Sequence, residues 1–595
     1  MAATDLEARL LAGVSTDTLW QNASTLARWI RVSGTPDERP AVEYLRQRLE
    51  DYGVETHLYE FESLLGWPEE AVVEVRSPET GSLKAITHSL APSTPPDGLE
   101  GDVVYLGRGK ESDFAARPAA GKIVLLDGIA EPDQVLLAQQ QGAAALIFAS
   151  YDDYARDMCV SPVWGTPTRS TAGLMPSIPV FSVARAEGSR LKALLAKGPV
   201  RVWLRARTFL GWRKVPVLVG EIAGTAEPDK YVLFSGHYCS WYHGAMDNGT
   251  ANATMLEVAR ILSANRRELR RSVKFAFWPG HTQGRYSGSA WFADEFWEDL
   301  HDNCVLHVNV DSTGARGATL YSARCMEENR AFALAAVRDA AGGEATPTRM
   351  PRAGDQSFWS CGISSVFMSL SKVPPELACD LDGHSLAAPS GEGDARPPTG
   401  GMPWYWHTAD DTIDKIDPEV LQRDTRIFLL AVLRSAASPI LPLRYGAAVR
   451  EIREALELYK SQAGDRFDLG PVLSRAVQLQ SAVAALDELL DRACRTPGRR
   501  GVEDLANRGL LALSRALVTV NYTANGPFDQ DLAISIPRVP LLAHAARLSG
   551  MDPAADETRF LVTELTRNRN KVAYFLREAL RAADETAAGL RGALA

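Results

Sequence analysis

Three apolar runs constrain what this chain can fold into, because each stops on a residue able to bind a metal ion. YVLFSGH closes at His237, VKFAFWPGH at His281 and VLHVNVD at Asp311. Apolar runs of about five to eight residues predict buried parallel strands, and ligands of open α/β sheets collect at the carboxyl ends of such strands. The expected centre is therefore a metal site on an α/β sheet. Its unusual feature is the segment after Trp278, PGHTQG, which carries no carboxylate.

The remainder of the 595 residues frames that sheet and is too long for one ordinary core, which predicts about three or four domains. Residues 1–96 begin with helical spacing in TLWQNASTLARWI and AVEYLRQRLEDYG, stopped at Gly53 and followed by the alternating VETHLYEFES. Residues 97–209 repeat short strands, GDVVYLG, GKIVLLDG, AAALIFAS and IPVFSVAR, with helices between them. Few ionisable groups stand at the ends of these strands, so the segment reads as an inserted α/β module away from the chemistry. Residues 210–442 supply the longer strands VPVLVGEI, YVLFSGH, SVKFAFW, CVLHVNVD and SSVFMSLS, covered by the helices ATMLEVARIL and RAFALAAVRDA. Asp247 and Asn248 stand where they can cap the first of these helices. PSGEGDARPPTGG, at 389–401, reads as an irregular loop shortly before His407. Residues 443–595 are helical by spacing, as in REIREALELYK and VLSRAVQLQSAVAALDELLDRA, with one long connection near 521–540.

Composition removes several classes of function. With 74 acidic against 64 basic residues and a net charge of −10, no basic stripe recommends nucleic acid or an anionic membrane as a partner. The N-terminus lacks the cationic start and apolar stretch of a secretory signal, and no run reaches the roughly 18 apolar residues that span a bilayer. The seven cysteines are scattered without CxxC spacing, which argues against a disulfide framework or a thiolate zinc site. A cytoplasmic protein is the expectation.

Read in order, GHYCSWYHGAMDNGTANATMLEVAR, FWPGHTQGRYSGSAWFA, NVDSTG, AGDQSFW and WYWHTADDTIDKID resemble the motifs of the zinc exopeptidase family that includes bacterial leucyl aminopeptidases, glutamate carboxypeptidase and glutaminyl cyclase. The resemblance spans most of the chain. It implies an α/β fold with a mixed, largely parallel central sheet flanked by helices, formed by 1–96 and 210–442. It further implies that 97–209 is a protease-associated insertion and that 443–595 is a helical domain like the dimerisation domain of the transferrin receptor branch. On the same resemblance, His237, Asp247 and Asp311 bind one ion, and Asp247 bridges to a second held by His407. Zinc, as one ion or two, suits imidazole and carboxylate ligands, with another divalent ion as the alternative.

This chain departs from that pattern where chemistry is most sensitive. Relatives place an aspartate two residues after the first histidine, and this chain has Cys239. Where they place adjacent glutamates, as general base and metal ligand, it has His281 and Thr282, and an extra residue before Gly288 makes Gln283 another occupant of those places. Two arrangements stay open. His281 is the general base beside one ion held by His237, Asp247 and Asp311, or it joins Asp247 and His407 as a ligand and leaves the base unassigned. Thr282 is a poor zinc ligand, and Cys239 is expected to pack as a small residue beneath the site. Asp355 is expected in the pocket or behind a ligand, His243 in solvent, and Asp410 and Asp411 in ordering the loop after His407.

The resulting expectation is a metallo-hydrolase that cleaves an amide or peptide bond in a small peptide, amino-acid conjugate or related molecule. The loss of both glutamates motivates two alternatives, a scaffold kept for binding or assembly and a cyclase-like enzyme with a single zinc ion. The expected partners are a small substrate and a second copy of the chain bound through the C-terminal helices.

Overall fold

The computed structural model describes residues 5–379, 400–496 and 498–595. In it the three ligand-ended runs are neighbouring parallel strands. Glu227–His237 lies between Arg271–Trp278 and Cys304–Asn309, with Trp278 paired to His237 and Asn309 to Ser235. Residues 231–237 and the whole of Cys304–Asn309 are buried, which is why these strands are continuously apolar rather than alternating. Ser365–Lys372 continues the parallel order, and Leu320–Cys325 and Ala345–Arg349 complete that edge. The helices Ala251–Ala264 and Pro418–Ala437 are buried along most of their lengths. On the opposite face, Phe292 and Ala293 of the helix Ser287–Glu295 join Trp278, Leu233 and Val219 in an apolar cluster.

A long ribbon joins this sheet to the insertion. Glu55–Ser77 pairs antiparallel with Arg201–Ile222 from Glu55 opposite Glu221 to Ser77 opposite Arg201. Near Ile222 the second of these strands borders Arg271–Trp278, and near Arg201 it borders Leu99–Tyr105. From there the insertion builds its own parallel strands, Ile123–Asp127, Ala145–Ala149 and Val180–Val183.

The helices Gly446–Ala463, Gly470–Cys494, Arg500–Tyr522 and Asp556–Leu594 form the C-terminal bundle. The stretch after Tyr522 runs back to the insertion and the central sheet, where the Ala533 amide donates to the Pro162 carbonyl at 2.7 Å and the Gln530 side chain to the Ser357 carbonyl at 3.0 Å. The loop expected at 389–401 lies outside the described residues as far as 399. No described helix is long and apolar enough to cross a membrane.

The seam between bundle and sheet contains a titratable group. Glu328 is buried, its carboxylate accepts a hydrogen bond from Ser364, and burial pushes its pKa from 4.5 up to about 7. Between those values the folded chain holds a proton that the unfolded chain has released, so stability falls as pH rises through the window. The fall is at most about 3 kcal/mol. Thermal unfolding of wild type and Glu328→Gln at pH 5 and pH 8 checks this. The variant is expected to gain relative to wild type at pH 8, and an identical pH dependence of the two proteins would contradict it.

Candidate metal centre

His237 is the last residue of its strand, and its ring is oriented from behind. The Nδ1–H donates to the Cys239 carbonyl at 2.9 Å, which leaves Nε2 with a bare lone pair. That nitrogen faces Asp247 Oδ1 at 3.1 Å and Asp311 Oδ2 at 3.6 Å. His407 repeats the arrangement from the other side, its Nδ1–H donating to the Asp157 carbonyl at 2.7 Å and its Nε2 lying 3.1 Å from Asp247 Oδ2. Asp247 therefore presents one oxygen to each histidine.

The loops are held by a small set of polar residues. The Asn248 amide donates to the His237 and Val310 carbonyls and accepts from the Ser312 amide, fastening two strand ends together. It does not cap the following helix, where Thr250 occupies the cap position and its hydroxyl donates to the Met246 and Thr313 carbonyls instead. Asp411 receives the Met246 and Asp247 amides at 2.8 and 3.0 Å, while burial pushes it up to about 7. Arg31, fully buried, donates to the carbonyls of Leu26, Trp29, Tyr238, His243 and Gly244 and ties the N-terminal segment to the same loop.

These residues fit a divalent cation. His237 Nε2 and Asp247 Oδ1 are buried and have no hydrogen-bond partner, and as drawn both are acceptors facing each other. Burial works against charge on His237, yet Asp247 and Asp311 raise its proton affinity well above the ordinary imidazole range. Burial also opposes ionisation of Asp247, which His237 and His407 nevertheless hold well below the ordinary carboxyl range. Both shifts express one requirement, positive charge between these groups. A proton meets it at a single nitrogen, whereas a divalent ion satisfies imidazole lone pairs and carboxylates together.

His281 stands beside this cradle. Gly280 turns the chain after the Trp278 strand with φ of +65°, where an added Cβ would collide with Ser287. The His281 ring stacks on His237 with centroids 3.8 Å apart and planes 20° apart, and meets the Tyr286 ring edge-on at 4.7 Å. Its Nδ1 lies 2.6 Å from Asp355 Oδ2, and the other Asp355 oxygen accepts from Ser289 Oγ at 2.8 Å. Burial pushes Asp355 up, but His281 holds it below the ordinary carboxyl range.

Ligand atoms of His237, His281 and Asp311 lie within 4.8 Å of one another. The stacking bears on the relation of His281 to an ion on His237. An imidazole binds a metal in its own ring plane at about 2.0–2.1 Å, and two nearly parallel rings 3.8 Å apart do not meet at one such point. This arrangement favours His281 as a neighbour of an ion on His237 over a shared ligand.

The neighbouring departures from the family pattern are structural. Thr282 is buried with its hydroxyl on Cys239 Sγ at 3.4 Å, and Gln283 spends its amide on the Ser240 carbonyl at 3.1 Å. Cys239 orients His237 through its carbonyl, so Cys239→Ala is expected to keep wild-type metal affinity. A loss of about tenfold, typical when a group supporting a ligand is removed, would assign that work to the thiol. His243 is half-buried and donates to the Ala27 carbonyl rather than standing free in solvent.

Sequence reasoning missed the contribution of the insertion. Asp157 anchors His407, and Trp164 donates through Nε1 to Ser357 Oγ at 2.7 Å. Ser357 in turn touches Ser289, which holds Asp355. A backbone acceptor such as the Asp157 carbonyl leaves no signal in residue type.

Comparison with known proteins agrees with this geometry. Residues 218–432 match Peptidase family M28 and residues 96–191 match the PA domain. The chain is 23% identical over 499 residues to the probable glutamate carboxypeptidase VP8 of Zea mays, covering 72% of this chain and 67% of that protein. It is 27% identical over 414 residues to the probable lipoprotein aminopeptidase LpqL of Mycobacterium tuberculosis, covering 66% and 76% respectively. The structure of BSAP, a zinc aminopeptidase from Bacillus subtilis, shares the fold with a TM-score of 0.53 at 18% identity, covering 72% of this chain and 97% of that one. The segment that carries most of the central sheet and the cradle thus matches Peptidase family M28, and a PA domain match precedes it.

Proposed function

We propose that this chain hydrolyses the amide bond of a small peptide or amino-acid conjugate, with zinc held by His237, Asp247 and Asp311 and a second ion position at Asp247 and His407. The observation that carries this reading is the pair of buried, partnerless acceptors, His237 Nε2 and Asp247 Oδ1. When bound, a divalent ion acidifies a water molecule and polarises the substrate carbonyl.

The residues around the cradle supply the proton chemistry. His281, with Nδ1 directed to Asp355, offers Nε2 as the general base and then returns the proton to the leaving amine. Asp355 fixes the tautomer and stabilises the imidazolium, while His237 and Tyr286 hold the ring on its face and edge. A histidine and an aspartate thus take the place of the glutamate general base. The insertion and the connection after Tyr522 flank the centre, which favours small substrates over folded proteins.

Chelator treatment and zinc reconstitution, assayed on aminoacyl anilides, dipeptides and N-acyl amino acids, test the reading. Hydrolysis is expected to disappear with the metal and return with it. Hydrolysis indifferent to metal removal would contradict it. We also propose a homodimer through the bundle, where Phe560 and Tyr574 are exposed on Asp556–Leu594. Sedimentation velocity is expected to show twice the chain mass, and a monomer at micromolar concentration would oppose it.

A further inference from the structure

We propose that the inserted PA domain is a working part of the metal centre, with Asp157 as the positioning residue for His407, so that docking of residues 152–157 governs filling of the second ion position. The inference rests on the reading of His407 as a ligand.

The first position has three protein donors, His237, Asp311 and one oxygen of Asp247. The second has only the other Asp247 oxygen and His407, since Thr282 is turned to Cys239. Two donors are fewer than a zinc site ordinarily needs from protein. Binding there depends strongly on how well the two are held in advance.

His407 lies outside the sheet, in a turn with φ of +58°, so no strand ladder fixes it. Trp406 stacks on its ring at 3.6 Å. The insertion provides the rest. The Asp157 carbonyl takes the His407 Nδ1–H at 2.7 Å, and the Asp157 amide donates back to the His407 carbonyl at 3.2 Å. One residue earlier, fully buried Arg156 grips both oxygens of Asp152 and donates to the Trp404 carbonyl at 2.9 Å. Tyr154 stacks on the Trp404 ring at 5.0 Å.

The Asp157 side chain makes a third connection. Its Oδ2 accepts from the Tyr242 hydroxyl at 2.7 Å, and Tyr242 lies on the loop between His237 and Asp247. Asp157 therefore links the insertion, the His407 turn and the loop that carries the bridging carboxylate. A shift of residues 152–157 moves the His407 lone pair off the second position, while His237 and Asp311 stay fixed at their strand ends.

Cobalt(II) titration of the metal-free protein tests this, read by visible absorption and by elemental analysis after gel filtration. Wild type is expected to take two equivalents, the second more weakly, and His407→Ala only one. Tyr242→Phe and Asp157→Ala are expected to keep the first equivalent at wild-type affinity and to weaken the second by about tenfold or more. Asp157→Asn, which can still accept from Tyr242, is expected to restore much of it. If Asp157→Ala does not fold, Tyr242→Phe decides, with its metal-free thermal midpoint as the control. An unchanged second equivalent in Tyr242→Phe, in Asp157→Ala and in Arg156→Ala, which frees residues 152–157 from the Trp404 carbonyl, with its loss in His407→Ala, would overturn the role of the insertion. A single equivalent in wild type that His407→Ala leaves untouched would overturn the ligand reading beneath it as well.

Discussion

Asp247→Ala is expected to empty both ion positions and to lower turnover by about a thousandfold or more, because loss of the ion removes several kcal/mol of transition-state stabilisation. The effect follows from a single side chain whose two oxygens each face a histidine nitrogen at 3.1 Å. His407→Ala should differ in kind, since it leaves His237 and Asp311 with one Asp247 oxygen. Metal analysis of the two variants beside wild type checks this. A stoichiometric tight ion retained by Asp247→Ala would remove Asp247 from the centre.

The second large effect is expected at His281. His281→Ala should lose about 10²–10⁴-fold in kcat, the usual contribution of a positioned acid–base group, while keeping its metal. Asp355→Asn should lose less, because the ring stays stacked on His237 and edged by Tyr286 and only its carboxylate partner changes. Metal loss in step with activity would instead make His281 a ligand. His281→Glu puts at this place the carboxylate that the resemblance implies, and should recover part of the loss.

Much of the centre was legible in the sequence for a physical reason. Strands buried on both faces leave no polar alternation, so a histidine or aspartate ending such a run stands out, as His237 and Asp311 do. Asp247 and His407 came from the resemblance, and the structure places both against the same centre. The edge strands Leu320–Cys325 and Ala345–Arg349 were not legible, because YSARC and ATPTR are short and only partly apolar. The ribbon strand beginning at Glu55 was followed only to Ser63, since Gly66 and Pro68 within it resemble turn signals.

The role of His281 was beyond sequence reasoning altogether. Base and ligand need the same residue type at the same place, so only the ring's geometry bears on the choice. The insertion was read as remote because its contribution to His407 passes through a main-chain carbonyl. Cys239 likewise replaces a carboxylate in side chain while its own carbonyl orients the ligand. In both cases a backbone carbonyl, rather than a side chain, orients the histidine.

Anomalous diffraction at the zinc edge, from crystals of the zinc-loaded protein, tests the central claim most directly. A peak is predicted within about 2.0–2.2 Å of His237 Nε2 and of an Asp311 oxygen, sharing Asp247 with any second peak at His407. His281 Nε2 is predicted to lie outside bonding distance of every peak. A zinc ion bonded to His281, or a cradle that takes up no zinc, would contradict the account.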